Sequence, residues 1–344
     1  MKDRYQELVC EDVKSLEEAS EELHNVAQNI VSNGGLLDLP AVSAGEYAVT
    51  LSVYTDKDGN KAAILPGWTV SGASEENTIW GKDVSLVIYR IPKLLLKKIN
   101  WENAEELEVL KRTYEQFVWC PTEMLQADGT LDGANYNEKF GRRWKNYNLP
   151  SELKAEEPLE GELLEQFESV KKYGGLYISR YNISKGEKRG AHSVKGAMPW
   201  VKISFYEAQI VAASFFMKKE FAQSHLTYGA EYDSVLKWLI DSGTKTDTEV
   251  THNSSGWGNY WKQKGALDKV VETGSSEEWC ANNIYDLAGN VDEWTQEKVG
   301  EKYHVIRGGY CKVMGEYFPV KYSRYNYSTS SYNTTGIRVT IYIK

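Results

Sequence analysis

Residues 284–295 read IYDLAGNVDEWT, and two shorter phrases follow in order, VIRGG at 305–309 and GIRVT at 336–340. Each carries residues with a physical job. Gly289 and Asn290 suit a turn with positive φ, and Trp294 offers a large ring to plug the core beneath it. Gly308 and Gly309 end a strand where backbones must pass closely. Arg307 and Arg338 are candidates for buried guanidinium pairing that ties loops to a sheet. Gly336 opens the last strand, GIRVTIYIK.

Between the second and third phrases lies YFPVKYSRYNYSTSSYNTT (317–335), in which fourteen of nineteen residues are Tyr, Asn, Ser or Thr. A core strand would carry Val, Ile and Leu, and a linker would carry Gly, Pro and charge. This run fits neither description.

The whole chain has 344 residues, 41% of them hydrophobic and 26% charged, which is an ordinary globular balance with room for two domains or one large domain and an appendage. Its 23 Tyr and 11 Trp are a heavy load of rings that pack on one side and meet solvent or a partner on the other. A net charge of −9 argues against a general nucleic-acid binder, which needs clustered Lys and Arg to displace counterions. Cys10, Cys120, Cys280 and Cys311 are widely separated and form no CxxC pair, so neither a zinc ribbon nor a thioredoxin motif is expected. The opening MKDRYQELVCED lacks the basic and apolar regions of a secretory signal. The longest apolar run, IVAASFFM at 210–217, is too short to span a bilayer. The expectation is a product made in the cytoplasm without a signal peptide and without membrane insertion.

Four regions follow from the pattern. Residues 1–35 predict an amphipathic helix, with Val9, Leu16, Leu23 and Ile30 at intervals of seven and a stop at Asn33-Gly34-Gly35. Such a helix either lies on its own domain or makes a homo-oligomer through residues 5–31. Residues 36–125 predict a small β-rich module with a helical connector: YAVTLSVYT, a DKDGN turn, KAAILPGWTVSG, VSLVIYRIP, a helix over 101–117 and the strand FVWCP. Residues 126–169 are polar and loop-like, as an insertion would be. Residues 170–344 hold a strand at 174–184, a short strand running into a helix over 199–221, a second helix over 226–243 closed by Gly243, and a loop-rich end. The fold class is α+β, without βαβ alternation or repeats.

The ordered trio of phrases resembles the signature of the formylglycine-generating enzyme (sulfatase-modifying factor) family, in which a GNVWEW-like box, an RGG box and a terminal GFR box follow one another. The resemblance covers roughly residues 170–344 and implies a C-type-lectin-like fold. It also implies a calcium ion held by Asp286, the backbone around Gly289 and Val291, and Glu293. Oxygen ligands of that kind suit a hard cation, and carboxylates that simply bond nearby loop amides are the alternative. Asp292 stands where the box usually has Trp.

The oxidase members of that family use a pair of cysteines shortly after the RGG box, and soft thiolates so placed bind copper(I). Here Cys311 alone follows the box. Iron-dependent relatives need a histidine cluster, whereas His24, His192, His225, His252 and His304 are scattered. No GxSxG, Walker or HExxH motif occurs. The sequence therefore predicts no catalytic residues, with an altered sulfatase-modifying oxidase as the alternative.

The same scaffold is used by the variable proteins of diversity-generating retroelements, often carried by phages and prophages, and the chain resembles these most. In them the segment between the RGG and GFR boxes binds ligand, and its codons change at adenines. An Asn codon altered in that way gives Tyr, Ser, Thr, Phe and Val, which are most of residues 317–335. Tyr and small polar residues are also the chemistry of antibody loops. The resemblance implies a variable surface over about 310–335 made by Tyr310, Lys312, Glu316, Tyr317, Phe318, Tyr322, Tyr325, Asn326, Tyr327, Ser328, Ser330, Tyr332 and Asn333, with Ser323 and Arg324 as fixed scaffold. A Tyr-rich loop that nothing diversifies is the bland alternative. The implied ligand is a bacterial surface protein or glycan. The N-terminal third, in phrases such as LPGWTVSGASEENTIWGKDVSLVIYRIP, resembles the leading segments of prophage-encoded proteins, which implies a mount on a phage tail and a place in the virion.

Overall fold

The computed structural model describes residues 155–344 apart from 174, 187–189, 216–221 and 263–267, together with 115–122, 140, 141, 143, 144, helical positions 105, 109, 112 and 113, and the segments 45–48, 53–55, 61–63 and 86–89. The helix expected over 5–31 lies outside the described residues.

Four short strands come first: β1 (Gly45–Ala48), β2 (Val53–Thr55), β3 (Lys61–Ala63) and β4 (Leu86–Tyr89). β2 and β3 pair antiparallel, with Tyr54 opposite Ala62. FVWCP forms β5 (Gln116–Pro121), and after β6 (Ala155–Glu156) comes helix α1 (Gly161–Tyr173). This helix corrects the reading of 126–169 as loop throughout. Leu163, Phe167 and Val170 bury one stripe at helical spacing, while the glutamates between them give the segment its polar texture.

The chain continues through β7 (Gly175–Ser179), β8 (Ser184–Lys185), β9 (Ala191–His192), α2 (Phe205–Ala213), β10 (Ala222–Leu226), α3 (Gly229–Asp241) and α4 (Asp247–Thr251). α2 is shorter than the 199–221 pattern predicts, and only an isolated bridge at Pro199 precedes it. Its start is set by a capping box, in which Glu207 accepts from the Ser204 amide at 2.9 Å and Ser204 Oγ accepts from the Glu207 amide at 3.4 Å. α3 starts on a carboxylate, because Glu157 accepts from the Gly229 and Ala230 amides at 2.6 and 2.8 Å, where the helix dipole favours negative charge. Gly243, at φ 73°, follows its end. The remaining strands are β11 (Cys280–Ala281), β12 (Ile284–Tyr285), β13 (Asp292–Val299), β14 (Tyr303–Arg307), β15 (Arg324–Tyr327), β16 (Thr335–Ile337) and β17 (Val339–Ile343).

Two sheets organise these pieces. The first runs β1-β4-β5-β7-β17-β10, parallel at β1–β4 and antiparallel elsewhere. It therefore joins strands from the first third of the chain to the final strand. Phe117, Val118, Trp119 and Cys120 are all buried, so both faces of β5 are covered. The second sheet runs β15-β14-β13-β16, with β6 on the far end of β13, and β13 pairs with β16 in parallel. The protein is a mixed α+β structure. No helix among the described residues is long and apolar enough to cross a membrane.

Two arginines from the signature phrases hold the sheets and helices together. Arg307 is fully buried, and its Nη1 donates to Glu297 at 2.9 Å while its Nη2 donates to Asp233 on α3. Asp233 also accepts from the amides of Arg143 and Trp144. Burial works against the guanidinium charge, but Asp233 and Glu297 outweigh it and raise the Arg307 pKa. Arg338 donates to Glu293 at 2.7 Å and to the carbonyls of Ser179 and Tyr285 at 2.8 Å each, so one side chain spans β7, β12 and β13.

His304 on β14 lies face to face with Phe205 of α2, ring centroids 3.4 Å apart, and its Nδ1 is 2.8 Å from Ser328 Oγ. Burial, helped by Lys298, pushes its pKa down to about 4.

Replacing Arg307 with Met strands two buried carboxylates and is expected to cost about 3–5 kcal/mol in urea denaturation; a loss within the scatter of surface mutants would contradict the clamp. His304 gives a pH signature. Its folded pKa lies below the unfolded value of about 6.5, so its contribution is complete above that value and is lost as pH falls through about 4. The stability difference between the natural protein and His304→Phe should shift by up to about 3 kcal/mol between pH 7.5 and pH 4, the natural protein losing on acidification. Asp292 and Glu293 titrate in the opposite sense, because burial raises both to about 7 against the partial offset of Arg324 and Arg338. Both proteins share them, so the difference isolates His304, and a difference that does not move with pH would contradict the assignment.

Candidate functional site

The Tyr-rich segment leaves the second sheet through Gly308 and Gly309, at φ 95° and 73°. A Cβ on Gly309 would lie 2.8 Å from the Tyr260 ring and 3.0 Å from the Phe318 carbonyl, so a side chain has neither the backbone angle nor the room. The chain turns at Met314, whose carbonyl accepts from the Tyr317 and Phe318 amides, and is pinned where the Val320 amide donates to Ser254 Oγ at 2.9 Å. It then runs as β15 against β14, with Arg324 opposite Ile306 and Tyr327 opposite Tyr303. Beyond β15 the Tyr332 carbonyl accepts from the Lys202 amide, and the Thr334 carbonyl accepts from the Asp292 amide, both at 2.8 Å.

This path sorts the expected surface residues. Lys312, Glu316, Tyr317, Tyr327, Tyr332 and Asn333 are exposed, Tyr317 at 63%, Tyr327 at 49% and Tyr332 at 39%. Tyr310, Phe318, Tyr322, Tyr325, Asn326 and Ser330 are half-buried. Ser328 is buried, which corrects its reading as a contact residue: its hydroxyl donates to the Lys302 carbonyl at 2.8 Å beside His304. Val320 and Thr335, both reachable from an Asn codon, are also buried.

Arg324 sits beneath the segment. Its Nη2 reaches Asp292, and its guanidinium lies 4.7 Å from the Tyr310 ring centroid and 5.4 Å from that of Phe318. Asp292, which stands where the GNVWEW-like box has Trp, thus has a local purpose as the counter-ion of Arg324. Tyr303 was missed by sequence reasoning. Its ring lies 4.4 Å from Tyr327 and 5.2 Å from Tyr325, yet it precedes VIRGG, and only the β14–β15 register brings it to the site.

The scaffold residues Gly289, Asn290, Trp294, Arg307, Gly308, Gly309, Gly336 and Arg338 are all buried. Gly289 and Asn290 take φ 75° and 60°, and a Cβ on Gly289 would lie 2.6 Å from the Asn259 carbonyl oxygen. Asn290 Oδ1 accepts from the Val271 amide at 3.0 Å, and Trp294 Nε1 donates to the Ile203 carbonyl at 3.0 Å. Asp286 Oδ2 accepts from Thr273 Oγ1 and the Gly274 amide, while its Oδ1 has no donor among the described residues. Glu293 Oε1 accepts from Asn182 and Arg338, and its Oε2 has no donor among the described residues. Burial raises the pKa of both carboxyls.

Burial also pushes the thiols of Cys280 and Cys311 up to about 11. They have different neighbours, Arg180 and Tyr285 for Cys280, Lys312 and Asp292 for Cys311. Cys10 and His24 lie outside the described residues. Among the described residues, no group of three His, Cys, Asp or Glu side chains is arranged to hold a metal.

No protein-family model matches the chain, and no curated protein does. Among solved structures, it is similar to variable protein 1 of Treponema denticola at 16% identity and a TM-score of 0.34, over 48% of this chain and 84% of that one. It is similar to PvdO from Pseudomonas aeruginosa at 14% identity and a TM-score of 0.37, over 49% and 81%. The U1 variant of a major tropism determinant matches at 11% identity and a TM-score of 0.33, over 90% of this chain and 78% of that one. Similarity this low fixes neither family nor function.

Proposed function

We propose that this chain is a ligand-displaying protein of C-type-lectin-like fold, whose surface over about 310–335 binds a bacterial surface protein or glycan. In this reading it is encoded by a phage or prophage, its surface codons are diversified by a retroelement, and its N-terminal third mounts it on a tail. The observation that carries the reading is the division of one segment into two classes. Tyr317, Tyr327, Tyr332 and Asn333 are presented outward, whereas Val320, Ser328 and Thr335 are anchored inside. Exposed Tyr rings offer large amphipathic contacts with little rotamer entropy to lose. The buried Cys311, its thiol pushed up to about 11, favours binding over the oxidase alternative, which needs thiolates.

The proposal extends to calcium. The resemblance implies it at Asp286 and Glu293, and each of these carboxylates keeps one buried oxygen without a donor among the described residues, as a hard cation would use. Calcium chloride added to chelator-treated protein should then raise the melting temperature. An unchanged melt discards the calcium part alone.

Two measurements test the binding surface. Sibling coding regions, read beside any neighbouring reverse transcriptase and template copy, should differ at adenines in the codons of exposed residues such as Tyr317, Tyr327 and Tyr332 and agree at Arg324 and Ser328. Invariance across siblings, or variation spread evenly over buried positions, would sink diversification. The triple variant Tyr317→Ala, Tyr327→Ala, Tyr332→Ala should keep its stability to within about 1 kcal/mol. A cooperative loss well beyond that would make those rings core.

A further inference from the structure

Among the described residues the second sheet ends at β15, which pairs there with β14 on one side only. The hydrogen-bonding parity of that pair follows from the Ser328 amide, which donates to the Lys302 carbonyl at 2.9 Å. Residues 302 and 328 are therefore a hydrogen-bonded pair, as are His304 with Asn326 and Ile306 with Arg324 two and four places along. Tyr325 and Tyr327 fall between, so their backbone groups face away from β14. The Tyr327 carbonyl accepts from the Ser330 amide at 3.0 Å. The amides of Tyr325 and Tyr327 and the carbonyl of Tyr325 find no backbone partner among the described residues.

Proteins usually blunt such an edge with lysine, proline or a bulge. β15 reads RYNY, and its single charge, Arg324, is drawn to Asp292. The edge is lined instead by the rings of Tyr325 and Tyr327, backed on the neighbouring strand by Tyr303. Backbone groups without a backbone partner, beside the exposed ring of Tyr327 and the half-buried rings of Tyr325 and Tyr303, are complementary to one kind of partner, an extended peptide strand. Resting on the ligand-displaying reading above, we infer that the partner is a protein that adds an extended segment to the β15 edge, taking its affinity from the Tyr325 and Tyr327 backbone and its selectivity from the tyrosine wall. Polypeptide is thereby favoured over glycan, since a sugar does not present the alternating donor and acceptor spacing of a strand. Tyr303, outside the Tyr-rich segment, becomes a constant anchor beneath side chains that change.

The test pans the full chain against a phage-displayed library of linear peptides and, in parallel, against an oligosaccharide array. Selected peptides are remade with each backbone nitrogen methylated in turn. Strand addition requires methylation of the one peptide nitrogen that donates to the Tyr325 carbonyl to weaken binding about tenfold or more, with the nitrogens on either side of it tolerated. It also requires exchange of the Tyr325 amide to slow on binding, while that of Asn326, already paired to β14, changes little. Peptides that bind but tolerate methylation everywhere overturn the edge inference and leave the displayed surface standing. Binding to sugars alone does the same. If neither library binds, the ligand-displaying reading falls with it.

Discussion

The buried guanidinium of Arg307 is the constraint on which the rest of the second sheet depends. It leaves β14 one residue before the Gly308-Gly309 turn and reaches carboxylates on β13 and α3. A buried charge is tolerated only when it is paired, and here two carboxylates pair it, so the helix, the strand and the start of the Tyr-rich segment are held in one arrangement. Arg338 does the equivalent at the segment's other end, joining β13 to the carbonyls of Ser179 on the first sheet and Tyr285 on β12. The segment between is thus suspended from two fixed points.

That arrangement explains how a stretch so poor in aliphatic residues keeps a defined path. Within it, the path depends on a few internal anchors: Val320 in the core, Ser328 under β14, and Arg324 between Asp292 and the rings of Tyr310 and Phe318. The exposed residues contribute little to this framework. In the proposed reading, the groups that hold the loop are separate from the groups that would meet a partner, so the second set could change without cost to the first.

Much of this was legible in the order of the letters. Gly289-Asn290, Gly308-Gly309 and the two arginines announce positive-φ turns and buried pairing because few other residue types can take those roles. Helix α1 was hidden because its buried stripe of Leu163, Phe167 and Val170 is diluted by exposed glutamates. Ser328 was misplaced because serine has the same codon chemistry whether it points out or in. Tyr303 was invisible because its membership in the site is a matter of strand register, a long-range property that no local pattern encodes.

The central claim is that a rigid scaffold carries a surface free to vary. Two libraries in the full chain measure this directly, scored by the fraction of protease-resistant clones. One randomises Lys312, Glu316, Tyr317, Tyr327, Tyr332 and Asn333, and the other randomises Val320, Arg324, Ser328 and Thr335. Most clones of the first should remain folded and most of the second should not. Equal losses in the two libraries would contradict the division between scaffold and surface.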